Sequence, residues 1–261
     1  MTGVLASVRS VEEAALVLEA GADFIDLKEP SAGALGALPA ETIRAVVAHV
    51  AGRRSVSATV GDLPMEPGRI AAAVSRTAAL GVDIVKVGVF PGSDPEGCLA
   101  VLADAAGQGR RIVLVMFADL GPDFALVERA RDLGLAGVML DTAEKGGGGL
   151  RRHLGPDRLA SFVDRARSAG LLTGLAGSLA VSDIPALLPL RPDYLGFRGA
   201  RCRGGRSGSL DQARVRAVCA AVRAEAAPSA AASTATAAAG AQRAAHSRLS
   251  GAPATRLAKS T

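Results

Sequence analysis

A chain of 261 residues, 49% of them hydrophobic, can build one large α/β core, while no apolar run approaches a membrane span and "MTGVLASVRSVEEA" lacks a signal-peptide pattern. Three widely spaced cysteines, Cys98, Cys202 and Cys219, offer neither a disulfide framework nor metal-site spacing and fit a reduced, cytoplasmic setting. The net charge of +5 is uneven: taking Arg243, Arg248, Arg256 and Lys259 from the 30 basic residues leaves 26 against 25 acidic ones, so no basic nucleic-acid footprint is indicated.

From residue 4 to 225 the chain alternates short β-branched runs with helical patterns. A strand over Val4–Val8 leads into "SVEEAALVLEAG", and a second over Phe24–Lys28 ends in "DLKEP" before the glycine-rich "SAGALGA". "PAETIRAVVAHVAG" precedes a third strand over Ser55–Gly61, and "PGRIAAAVSRTAALG" a fourth over Ile84–Phe90. Strands follow over Arg111–Phe117, Gly137–Asp141, Leu172–Ala176 and Tyr194–Arg198, and the helix "DQARVRAVCAAVRAE" closes the body. Gly21, Gly81, Gly134 and Gly170 supply left-handed helix ends for short turns.

Strand–helix alternation implies a parallel sheet, and eight units of this length predict a closed (β/α)8 TIM barrel rather than an open doubly wound sheet. No GxGxxG follows the first strand, which counts against a dinucleotide-binding sheet. The expected organisation is one α/β catalytic domain over residues 1–226 and an Ala/Ser/Thr-rich tail over 227–261. That tail is too poor in large apolar residues to offset its ordering entropy, so it reads as disordered.

Against 26 arginines the chain has four lysines: Lys28, Lys86, Lys145 and, in the tail, Lys259. A site that needs a neutral amine cannot accept Arg, whose guanidinium stays protonated. Lys28 ends strand 2, Lys86 lies in strand 4, and Asp141 ends strand 6 four residues before Lys145. Alternate strands of such a barrel feed one interior layer, with chemistry at their C-terminal ends. Interior salt bridges, such as Asp26 with Lys28, are the plain structural alternative. Three body lysines at one end of the barrel favour imine chemistry, with Lys86 facing Lys28 to activate it and Asp141 shuttling protons or holding Lys145. Asp26 is expected to position or charge Lys28, and the glycine-rich loop to leave room for substrate.

After strand 7 comes "GLAGSLAVSDIP" and after strand 8 "GFRGARCRGGRSGS". Gly177 and Ser178, then Gly199 and Ala200, let backbone N–H groups approach an anion where this fold usually holds phosphate. Arg198, Arg201, Arg203 and Arg206 are placed to add charge. His49, His153 and His246 show no metal-ligand spacing.

"VLASV", "GADFIDLKEPSAGALGA", "SVSATVGDLP", "GVDIVKVGVF", "GVMLDTAEKGG", "GLAGSL" and "FRGARC" occur in order over residues 4–225. Together they resemble the (5-formylfuran-3-yl)methyl phosphate synthase family of methanofuran biosynthesis. The resemblance implies a lyase-type condensation of two glyceraldehyde 3-phosphates, with no metal and no cofactor. It also implies that Lys28 is the Schiff-base lysine, that Lys86 accepts protons, and that Asp141 and Lys145 complete the site. "MFADLGPD" and the Arg-rich "RCRGGRSG" depart from the family pattern, and the tail is an addition to it.

The expected partner is a small triose phosphate; nucleic acid and membrane are not expected, and oligomeric state, a homo-oligomer included, is left open. Competing readings are another class I aldolase or isomerase acting on a sugar phosphate, a flavin- or nucleotide-binding barrel, and a non-catalytic scaffold.

Overall fold

The structure, a computed structural model, describes residues 1–144, 146–203 and 207–226, excluding the side chains of 225 and 226. The tail expected over 227–261 lies outside the described residues, as do Lys145 and Arg206. The compact unit runs from Met1 to Ala226.

Among the described residues there are eight strands: β1 Gly3–Val8, β2 Phe24–Leu27, β3 Ser55–Thr59, β4 Ile84–Gly88, β5 Ile112–Phe117, β6 Gly137–Asp141, β7 Leu172–Leu175 and β8 Tyr194–Phe197. Each pairs in parallel with its sequence neighbour, and β8 returns to β1, closing the barrel. The expected strand ends differ by at most two residues. The third and fourth strands stop earliest: the β3–β4 ladder ends at its third pair, Thr59↔Lys86, and the chain after β3 turns at Gly61, where φ is +103°.

Helices alternate with the strands: α1 Val11–Glu19, α2 Ala40–Val50, α3 Pro67–Ala78, α4 Pro95–Gly107, α5 Ala125–Asp132, α6 Leu150–His153, α7 Pro156–Ser168, α8 Ile184–Leu187 and α9 Gln212–Ala226. Ser10 caps α1 by accepting the Glu13 N–H, and Asp94 does the same for α4 through Gly97. Proline opens α3, α4 and α7, where its missing N–H costs nothing. Gly21, Gly81, Gly134 and Gly170 all have positive φ, as their helix-end placement required. No described helix is long and apolar enough to cross a membrane.

Period-two alternation divides the strand residues between two cores. Outward residues such as Ala6, Ile25, Val56, Val85, Leu114, Leu140 and Leu195 pack with the helices. Inward residues Leu5, Ile84, Val113, Val115, Met139 and Tyr194 fill the barrel. A Cβ at Gly174 would run into the Tyr194 ring, so glycine at that position makes room for the chain's one tyrosine. This apolar filling forms a floor, and the charged inward residues lie beyond it toward the C-terminal ends of the strands.

Candidate active site

β1, β2 and β3 place Ser7, Asp26 and Ser57 side by side in register. Both hydroxyls donate to the Asp26 carboxylate, Ser7 Oγ at 3.0 Å to Oδ2 and Ser57 Oγ at 2.7 Å to Oδ1. Lys86, pointing in from β4 and 2% exposed, donates its Nζ to Asp26 Oδ1 at 3.0 Å. Burial acts to raise the Asp26 pKa, but the ammonium groups of Lys86 and Lys28 and the hydrogen bonds from Ser57 and Lys86 outweigh it. The result lies below the ordinary carboxylate value, so the group is ionised.

Lys28 extends the ladder one bond beyond β2, its N–H reaching Val8 O at 3.1 Å. It is 7% exposed, and its Nζ lies 3.5 Å from Asp141 Oδ2 at the end of β6. Asp141 Oδ1 in turn accepts the Thr142 N–H at 2.7 Å. Asp26, Lys28, Lys86 and Asp141 thus meet in one cavity of about 480 Å³, as the alternate-strand argument required.

The pairing within that cavity differs from the expectation. Asp26 forms its ion pair with Lys86, not Lys28, and Lys28 pairs with Asp141. Register alone would set Lys28, one residue beyond Leu27↔Ala58, level with Thr59↔Lys86; the tilt of strands in a closed barrel instead brings Asp26 and Lys86 into one layer and leaves Lys28 to reach across to β6. Lys145 falls outside the described residues.

The cavity is closed on its other side by Gly177, Ser178, Gly199 and Ala200, which all line it. Gly177 and Ser178 have φ of +107° and +50°, a left-handed pair that turns the chain sharply after β7. Gly199–Arg201 forms a 3-10 turn after β8, whose first N–H groups have no partner within the turn. Successive N–H groups in such turns make concave anion sites.

The arginines after β8 do different work. The Arg198 guanidinium, buried at the cavity wall, is held by both carboxylate oxygens of Glu13 on α1 and by Ser7 O and Gly208 O. Arg201 is fully buried and lines no part of the cavity, its guanidinium nitrogens making no hydrogen bond among the described residues, and burial lowers its pKa to about 10. Arg203 pairs with Asp211 on the surface.

None of residues 29–37, in the glycine-rich loop after β2, lines the cavity. Gly33, at φ +110°, is where a Cβ would run into the Asp62 carboxylate. Leu35 instead reaches over β4, where a Cβ on Gly88 would come within 2.8 Å of it. With Phe90 and Phe117, whose rings are 4.5 Å apart, it belongs to the apolar cluster filling the barrel.

Ser7, Ser57 and Glu13 went unnoticed in the sequence. Their signal was available: small polar residues at inward parity beside Asp26, and an acid within the buried face of α1.

A model of the 4-HFC-P synthase family matches residues 4–219. A protein of Methylorubrum extorquens, provisionally named a (5-formylfuran-3-yl)methyl phosphate synthase, is 47% identical over 85% of this chain and 92% of its own. The (5-formylfuran-3-yl)methyl phosphate synthase of Methanopyrus kandleri is 38% identical over 77% and 90%, and that of Methanocaldococcus jannaschii 36% over 82% and 96%. Among solved structures, phosphoribosyl anthranilate isomerase from Thermus thermophilus superposes with a TM-score of 0.62 at 16% identity, covering 86% of this chain and 99% of that one. A 3-hexulose-6-phosphate synthase gives 0.59 at 21%, covering 83% and 99%. At such identities these two speak for the barrel alone.

Proposed function

The chain belongs to the (5-formylfuran-3-yl)methyl phosphate synthase family, and from that membership we propose that it condenses two glyceraldehyde 3-phosphates through an imine on Lys28. The product is (5-formylfuran-3-yl)methyl phosphate, serving methanofuran biosynthesis. One observation carries the reading: two buried lysines, each against its own carboxylate, share a cavity with the small-residue turns after β7 and β8.

Asp141 takes the ammonium proton from Lys28, leaving the neutral amine that attacks the triose aldehyde. The same proton serves the departing carbinolamine hydroxyl, which leaves as water. The imine then draws electrons from the neighbouring carbon. Lys86 is the acid–base group: as ammonium it protonates a leaving oxygen, and the neutral amine so formed accepts the proton of that carbon. Asp26, fixed by Ser7 and Ser57, keeps Lys86 in place as its charge changes. Backbone N–H groups at Gly177, Ser178, Gly199 and Ala200 hold substrate phosphate.

The atoms balance. Two C₃H₇O₆P minus H₃PO₄ and two H₂O give C₆H₇O₆P, the furan aldehyde phosphate, with no net redox. Incubation with glyceraldehyde 3-phosphate, followed by mass and ultraviolet analysis, should yield that conjugated aldehyde and one inorganic phosphate per two trioses. A hexose phosphate or an isomerised triose in its place would turn the assignment toward an aldolase or isomerase.

A further inference from the structure

Two loops follow directly on Lys28 and Asp141, and neither is held by the strands alone. Beyond β6 the chain runs through Thr142, Ala143 and Glu144, and beyond β2 through residues 29–36. In each case a carboxylate from the loop of the adjacent odd-numbered strand grips two successive backbone N–H groups. Asp119, just past β5, accepts the Ala143 N–H at Oδ1 (2.8 Å) and the Glu144 N–H at Oδ2 (2.7 Å). Asp62, past β3, accepts the Ala34 N–H at Oδ2 (2.7 Å) and the Leu35 N–H at Oδ1 (2.6 Å). Both sit in an Asp-Leu pair, Asp62-Leu63 and Asp119-Leu120.

We propose that Asp62 and Asp119 are positioning residues, a pair of carboxylate clasps that set the loops directly following Lys28 and Asp141. Hydrogen bonds to an ionised acceptor are about twice as strong as neutral ones, and each clasp makes two. The coupling to chemistry is most direct at Asp119. Three consecutive amides end on carboxylates there: Thr142 N–H on Asp141 itself, then Ala143 and Glu144 on Asp119. The direction of the chain at 142–144 therefore fixes the rotamer of Asp141, whose other oxygen faces Lys28. At Asp62 the grip closes the 29–36 loop above Lys28. Glu29 N–H reaches Gly36 O at 2.8 Å, and the Thr59 hydroxyl donates to the same oxygen at 3.0 Å. It also explains Gly33, since any side chain there would displace the Asp62 carboxylate.

The kinetic part of the test rests on the imine reading; the exchange part does not. In Asp119→Asn one backbone N–H faces an amide NH₂ instead of an oxygen, so the clasp is half lost with little change of volume. Turnover should be expressed per site trapped by borohydride with triose phosphate, which discounts misfolded protein. We expect it to fall about tenfold to a hundredfold, the scale of a reacting group displaced by about an ångström. KM should stay within about twofold, because the phosphate turns belong to β7 and β8. Unchanged turnover per trapped site overturns the proposal for Asp119. Asp62→Asn is read in the same way. Amide hydrogen exchange on the unmutated full chain provides the second arm. Ala34, Leu35, Ala143 and Glu144 lie outside the strands, yet their amides should be protected to the level of neighbouring strand amides. Rapid exchange at these four overturns the clasps whether or not any variant folds. If the parent protein is not trapped at all, the imine reading fails, and the exchange result still decides the clasps.

Discussion

Asp26 and Lys86 form the most enclosed ion pair of the site, and removing one member leaves a buried charge without compensation. Asp26→Asn should therefore destabilise the protein at neutral pH by about 3–5 kcal/mol, the usual cost of breaking a buried pair. The pH dependence has a definite sign. The folded Asp26 pKa lies below its ordinary value of 3.8, so the pair's contribution is complete above that value and is lost as pH falls through the folded pKa. Urea unfolding from pH 7 downward should show a constant gap between parent and variant to about pH 4, closing below it. A gap that closes between pH 7 and 5 would assign the linkage to another group. The two lysines should separate by role. Lys28→Arg keeps a cation but cannot form an imine, so trapping and turnover vanish together. Lys86→Arg keeps trapping and lowers turnover by roughly 10²–10⁴-fold, the loss expected for an acid–base group. Trapping that maps to Lys86 would exchange the two assignments. The lysines stood out in the sequence because a neutral amine is something Arg cannot supply. Their partners did not, because the choice between Asp26 and Asp141 depends on height along the barrel axis, which a single strand does not reveal.

The turn after β7 shows how an element's backbone can matter more than its side chains. Gly177 and Ser178 are both left-handed, a conformation that costs serine energy and glycine none. Ser178→Gly should thus leave the triose phosphate KM nearly unchanged and hold or raise the melting temperature. Ser178→Asp places a negative charge beside a dianion and should raise KM steeply with little change in the trapping stoichiometry. Equal KM values for the two variants would move the phosphate site elsewhere. Within the same strand, Gly174 makes room for the Tyr194 ring. Gly174→Ala should cost about 1–3 kcal/mol as an overpacked core substitution, measurable by urea unfolding. The small residues after β7 and β8 could be seen in the sequence, since close backbone approach demands them. Which arginines there reach the cavity could not be seen, because charge alone does not show direction: Arg198 lines it with its guanidinium on Glu13, whereas Arg201 lies buried away from it and Arg203 pairs with Asp211.

At the scale of the whole molecule, the closed barrel was visible because eight strand–helix units repeat with positive-φ glycines at the helix ends, and the family match spans residues 4–219. The glycine-rich loop after β2 was legible as a turn but not as a clasped one, because its Asp62 partner comes from a different strand unit, 28 residues beyond Ala34. The same distinction bears on residues 227–261. Everything that closes the barrel, from the β8–β1 pairing to the packing of Val215, Val218 and Val222 in α9, belongs to the unit ending at Ala226. The residues beyond carry four basic groups, no acid and few large apolar side chains, so their sequence offers little surface to bury. Deleting residues 228–261 keeps all of α9. For a domain of this size, 1 kcal/mol moves the melting temperature by roughly 2–4 °C. The truncated chain should therefore melt within about 2 °C of the parent, with the same turnover per trapped site. A loss of several degrees would show that these residues contribute to the fold. A fall in turnover at unchanged melting temperature would instead assign them a role at the site.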